Sequence, residues 1–168
     1  MKKLWDEIKT GNLSQCYVFY GGEQYLKKQY ENRLKQTFTD SLSGDMNISI
    51  FNGEIDVNNI IDAAETMPFF AEKRLILVKD SKLFKTGRKN DSEKIADYIE
   101  TIPQSTCLVF IEDEVDKRGR LYKAAAKAGR GIEFKTPDEK ELITWVQKQL
   151  KRSGVDIDIK TAVYFLGA

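Results

Sequence analysis

The stretch Cys16-Tyr17-Val18-Phe19-Tyr20-Gly21-Gly22 sets an unbroken apolar run directly against a pair of glycines. A run with no polar break has no face for water, so it reads as a strand covered by helices on both sides. Immediately after it, Leu26, Tyr30, Leu34 and Phe38 recur at the spacing of a helix with one buried stripe. Strand, glycine turn and amphipathic helix form the first half of a crossover unit, and the unit then repeats along the chain.

Working outward, Ile48-Ser49-Ile50-Phe51 reads as a shorter second strand. Asp56 caps a helix whose Val57, Ile60, Ile61 and Ala64 share one face. Leu75-Ile76-Leu77-Val78 is a third strand, followed after a polar segment by a helix with Ile95, Tyr98, Ile99 and Ile102 on one side. Cys107-Leu108-Val109-Phe110-Ile111 is a fourth strand, Leu121, Ala124, Ala125 and Ala128 mark the next helix, and Ile132-Glu133-Phe134 is a brief fifth strand. Strands separated by helices predict an α/β domain in three layers around a mostly parallel five-stranded sheet. The first, third and fourth strands are continuously apolar and belong at the centre. The second and fifth are short and mixed, as edges tend to be. Periodicity leaves the order of the central three open.

A boundary follows. Thr136-Pro137-Asp138-Glu139 combines an N-cap threonine, a proline at the first helical position and a glutamate three residues after the cap. The helix it starts would bury Leu142, Ile143, Val146 and Leu150, and Asp158 would cap another running from Ile159 to Leu166. The predicted organisation is an α/β domain over residues 1–135 and the start of a small helical domain over 136–168, with the chain ending inside that second domain.

Composition narrows the function. The chain has 168 residues, and a hydrophobic fraction of 41% suffices for a sizeable core. Lys and Arg number 27 against 26 Asp and Glu, so no global field draws the chain to nucleic acid or to a membrane. No apolar run approaches the roughly 18 residues of a membrane span. The start Met1-Lys2-Lys3-Leu4-Trp5-Asp6-Glu7 turns acidic too soon for a signal peptide, and a cytoplasmic location is expected. Histidine is absent, which excludes Ser-His-Asp and Cys-His nucleophiles and His-containing zinc sites within this chain. Cys16 and Cys107 fall inside predicted strands and are expected as reduced core residues.

The glycine turn stands where a phosphate-binding loop would be. Such a loop needs GxxxxGK[ST], with glycines for close backbone approach, lysine for the phosphates and a hydroxyl for magnesium. Here Glu23-Gln24-Tyr25-Leu26-Lys27-Lys28 follows the glycines, without Gly-Lys-Ser/Thr, and Glu23 would repel a phosphate. Leu108 to Glu114 has the strand-then-acids pattern that holds magnesium in nucleotide hydrolases, but a solvated strand end explains Glu112, Asp113 and Glu114 more simply. No catalytic residue, cofactor or metal is therefore expected. The rival is an ATP-binding P-loop enzyme with a degenerate loop.

Two segments carry clustered positive charge. Lys79 to Asn90 has five basic residues around Phe84, and Asp116-Lys117-Arg118-Gly119-Arg120 is similar. A nucleic-acid-binding module would use such cations on phosphates and the ring on a base. The favoured reading is a solvated loop with Leu83 and Phe84 tucked beneath it.

Met67-Pro68-Phe69-Phe70 lies between a proline-stopped helix and the third strand. Adjacent side chains leave the backbone in different directions, so burying both rings at an element end is hard. Either they pack beneath the sheet, or with Met67 and Pro68 they form an exposed apolar patch that marks an interface. The residues alone leave these two readings level.

Tyr17 to Leu26, together with Ala64-Glu65-Thr66-Met67-Pro68-Phe69-Phe70-Ala71-Glu72-Lys73-Arg74-Leu75, resembles the delta subunit of the bacterial DNA polymerase III clamp loader. Leu108-Val109-Phe110, Asp116-Lys117-Arg118 and Leu121-Tyr122-Lys123 continue the likeness over nearly the whole chain, and the second motif is the specific one. The resemblance implies an AAA+-like first domain that has lost its nucleotide site, with no catalysis or ATPase of its own inside the polymerase holoenzyme. It implies that Phe69 and Phe70, beside Met67 and Pro68, insert into a pocket on the beta sliding clamp and help open the ring. It further implies gamma/tau and delta prime as partners, mainly through a third domain beyond this sequence, and primed DNA in the assembled complex.

Overall fold

The computed structural model describes residues 2–39 and 44–135, with 144, 147 and 148 beyond them. The chain separates into two compact units, Met1–Phe134 and Lys135–Ala168. The helices expected from Thr136 onward lie outside the described residues. The sheet and the helices that cover it belong to the first unit.

In chain order the elements are α1 (Lys2–Thr10), β1 (Cys16–Tyr20), α2 (Gln24–Thr39), a 3-10 turn (Gly44–Asn47), β2 (Ile48–Asn52) and α3 (Val57–Glu65). Then follow β3 (Arg74–Lys79), α4 (Lys89–Ile99), β4 (Thr106–Ile111), α5 (Arg120–Ala128) and β5 (Arg130–Glu133). The strands form one sheet in the order β2-β3-β4-β1-β5. Every neighbouring pair is parallel, so all the strands point the same way. The unbroken apolar runs occupy the centre and the two short mixed strands the edges, and the register settles the central order as β3-β4-β1.

Alternation along the strands feeds two cores. Val18, Tyr20, Ile76, Val78, Leu108 and Phe110 face α3, α4 and α5 through residues such as Ile60, Ile95 and Leu121. Tyr17, Phe19, Leu75, Leu77 and Val109 face Leu4 and Ile8 of α1 and Leu34 and Phe38 of α2. Cys16 and Cys107 are buried free thiols, and burial raises both above the ordinary thiol range. The Asp56 carboxylate accepts the Asn58 N–H at 2.9 Å, as a helix cap does.

Three details depart from the sequence expectation. Helix α1 was not foreseen, because Leu4 and Ile8 alone are buried among its residues from Lys3 to Thr10, and two positions make no periodic signal. Strand β5 starts at Arg130 rather than Ile132: its Gly131 has no side chain to show a pattern, and Tyr122 Oη fills the space where a Cβ would stand. Ile102 is buried but follows the end of α4.

Candidate partner-binding site

Helix α3 ends where Thr66 turns extended, with its hydroxyl donating to Asp62 O at 2.9 Å. Pro68 has no N–H with which to continue the helix and biases Met67 away from helical backbone. The chain leaves α3 here before entering the sheet again at Arg74. Met67 is 80% exposed, Phe69 46% and Phe70 82%, while Pro68 is half-buried. The two rings meet edge to face, centroids 4.4 Å apart and planes at 75°. Of the two readings for this pair, the exposed patch is the one observed.

Phe70 has a φ of +51°, a left-handed backbone that bulky residues seldom adopt. A segment held there needs fastening, and three polar side chains supply it. Asn47, at the end of the 3-10 turn and 1% exposed, accepts the Phe69 N–H on Oδ1 at 2.6 Å and donates from Nδ2 to Phe69 O at 2.8 Å. Arg74 donates to Ala63 O at 3.1 Å, Met46 O at 3.3 Å and Ser49 Oγ at 2.6 Å, tying α3, the 3-10 turn and β2 to the root of β3. Lys73 Nζ donates to Leu13 O. Asn47 and the triple reach of Arg74 were not legible in the sequence, since nothing in their neighbours announces a partner so far along the chain.

Arg74 opens β3 and pairs with Thr106, which opens β4. The apolar tip therefore stands at the edge of the sheet where the strands begin. Open α/β sheets take their ligands at the other edge, outside the strands' carboxyl ends. The two ends lie about 20 Å apart, the length of a six-residue strand.

At that other edge the glycine turn is closed upon the protein itself. Gly21 N–H donates to Asp113 O and Glu23 N–H to Phe134 O, both at 3.0 Å. Gly21 has a φ of +112°, and a Cβ there would lie 2.3 Å from Phe134 O. Glu23 Oε1 accepts the Leu26 N–H at 3.2 Å. The buried Lys27 ammonium donates to Glu112 O at 3.0 Å and lies 3.3 Å from Asp113 Oδ1. Hydrogen bonds from Gln24 and Lys27 hold the Asp113 carboxyl below the ordinary carboxylate range.

Glu112 corrects an expectation. It is buried rather than solvated, accepting the Ser81 N–H at 3.1 Å as well as the Ser81 hydroxyl, and burial raises its pKa. Its task is to hold the chain leaving β3, where Asp80 and Lys82 both have positive φ. Nearby, the carboxylate of Glu31 is buried among Lys28, Lys35 and Lys79 at 2.7, 3.0 and 2.9 Å. Burial alone would raise its pKa, but the three ammonium groups outweigh burial and bring it to about 2.

In the basic segments the apolar side chains lie beneath the loop, as expected, and several cations pair with neighbouring carboxylates. Leu83 and Phe84 are buried, and the Phe84 ring packs on Phe110 with centroids 5.1 Å apart, so it is not exposed for stacking on a base. Lys82 pairs with Glu54, Lys85 with Glu114, Arg88 with Asp91 and Arg118 with Asp116.

A parallel sheet of this order, clad by helices on both faces and carrying a closed glycine turn, defines an AAA+-like α/β domain. The family model for the DNA polymerase III delta subunit matches residues 17–135, and the chain belongs to that family. It is 34% identical over 148 residues to DNA polymerase III subunit delta of Bacillus subtilis, a match covering 82% of this chain and 42% of that protein. Among solved structures, the Bacillus subtilis DNA clamp loader delta protein (YqeN) superposes with a TM-score of 0.74 at 28% identity, over 96% of this chain and 50% of that one. A gamma-subunit-related protein of DNA polymerase III from Thermotoga maritima shares the fold, with a TM-score of 0.56 at 14% identity, over 96% of this chain and 56% of that one. The chain thus spans about half the length of the delta proteins it matches.

Proposed function

We propose that this chain is the part of a clamp-loader delta subunit that grips the beta sliding clamp, through Phe69 and Phe70 with Met67 and Pro68 beside them. The observation that carries the reading is the paired rings standing in water at a tip whose backbone is pinned from beneath. A solvated aromatic pair costs free energy unless something covers it. Transferring the exposed Phe70 ring into an apolar pocket returns roughly 1.5–3 kcal/mol, and the half-covered Phe69 ring returns less. To help open a ring for loading onto primed DNA, the tip must bind the open form more tightly than the closed one, since equal affinity shifts nothing.

The reading needs no chemistry from this chain. DNA polymerase activity belongs to the holoenzyme as a complex, in the cytoplasm. Gamma/tau and delta prime would dock mainly through a further domain, and residues 136–168 would begin a helical second domain after an α/β domain of 1–135. Against the ATP-binding rival stands the turn at Gly21, whose amides are donated to protein carbonyls and whose neighbouring Lys27 is turned inward. No observation favours the nucleic-acid reading of the loop from Lys79 to Asn90.

The test is to titrate the beta sliding clamp with the unaltered chain and with a Phe69→Ala/Phe70→Ala variant, melting both in parallel. Loss of binding by about thirtyfold or more, the scale of a hot-spot anchor, is expected with the melting temperature held. Unchanged binding, or a collapse in stability showing the rings to be core, would refute the reading.

A further inference from the structure

We infer that Asn47 is a positioning residue for clamp binding: its buried side-chain amide latches the Phe69 peptide and holds the aromatic tip in its binding shape. The inference rests on the proposed role of Phe69 and Phe70, and goes beyond it to a residue that never meets the partner.

Asn47 presents an acceptor and a donor to the N–H and C=O of one residue, at 2.6 and 2.8 Å, as a neighbouring strand would. These bonds cross 22 positions of chain and join the 3-10 turn before β2 to a loop that has no strand neighbour of its own. At 1% exposure, Asn47 is out of reach of any docking protein. The next residue, Phe70, sits at a positive φ that its own side chain disfavours. Strained backbone of this kind persists only where its surroundings over-determine it. Arg74 fixes the same 3-10 turn from below through Met46 O, so the latch is mounted on a held base.

A latch of this sort acts on the population of the competent shape. If freeing the loop leaves about one molecule in ten with the rings correctly placed, apparent affinity falls about tenfold. The loss should lie in association, because once the rings are seated their contacts with the clamp are unchanged. A residue touching the clamp would instead speed dissociation.

The experiment measures association and dissociation rates of the beta sliding clamp with the unaltered chain, Asn47→Ala and Phe69→Ala/Phe70→Ala, together with hydrogen exchange of the Phe69 amide in the unaltered chain. Association about tenfold slower in Asn47→Ala, with dissociation within about twofold of the unaltered chain, is expected. The Phe69 amide should exchange at least about a hundredfold more slowly than in an unstructured peptide, a readout independent of whether the variant folds. Wild-type rates for Asn47→Ala, faster dissociation alone, or free exchange at Phe69 would each overturn the latch. Full binding by the double phenylalanine variant would overturn the tip itself and the latch's purpose with it, which separates the two failures.

Discussion

Adjacent glycines at the end of β1 do different work, although their letters are the same. Gly21 combines a φ of +112° with a Cβ position 2.3 Å from Phe134 O, whereas nothing lies within 4 Å of the Cβ position of Gly22. Alanine at Gly21 must move the backbone where β5 ends, which should cost at least about 2 kcal/mol, while Gly22→Ala should stay within about 1 kcal/mol of the unaltered protein. Urea unfolding of the two variants checks this, and equal effects would contradict it. The sequence shows a tight turn but not which glycine the packing demands. Phe69 and Phe70 are the converse case: their place at an element end was legible, while their exposure and the Asn47 beneath them became clear only with the loop's path.

Among the elements, α2 and β3 are joined by Glu31 and its three lysines, a cluster no single helix pattern reveals because Lys79 comes from another element. The Glu31 carboxyl drops from the ordinary 4.5 to about 2 in the folded state. A lowered folded pKa adds stability that is complete above pH 4.5 and lost as pH falls toward 2. Its full worth is at most about 3 kcal/mol, since a tenfold change in proton affinity corresponds to about 1.36 kcal/mol. Glu31→Gln should therefore lower stability at pH 7 and remove part of the loss between pH 4.5 and 2. An acid transition identical to that of the unaltered protein would count against it. The alternation of strands and helices, the edge and centre assignments and the Asp56 cap were all readable, because each rests on local pattern. Helix α1 and the early start of β5 were not: one buries too few residues to show a period, and the other hides behind Gly131.

Across the whole molecule, the parallel sheet sets two different ends. Where the strands finish, the glycine turn, Lys27, Glu31 and Glu112 knot the chain to itself. Where they begin, Met67, Phe69 and Phe70 meet water from a loop anchored by Asn47 and Arg74. The proposed polarity puts partner binding at the start of the strands and, at their finish, a glycine turn whose Gly21 and Glu23 amides are already donated to the protein's own carbonyls. The most direct measurement is the footprint of the beta sliding clamp on this chain by amide hydrogen exchange. Slowed exchange confined to residues 46–50 and 66–74, with residues 21–28 and 111–114 unchanged, is the expected result. Slowing at 21–28 and 111–114 while the tip exchanges as it does in the free chain would contradict it.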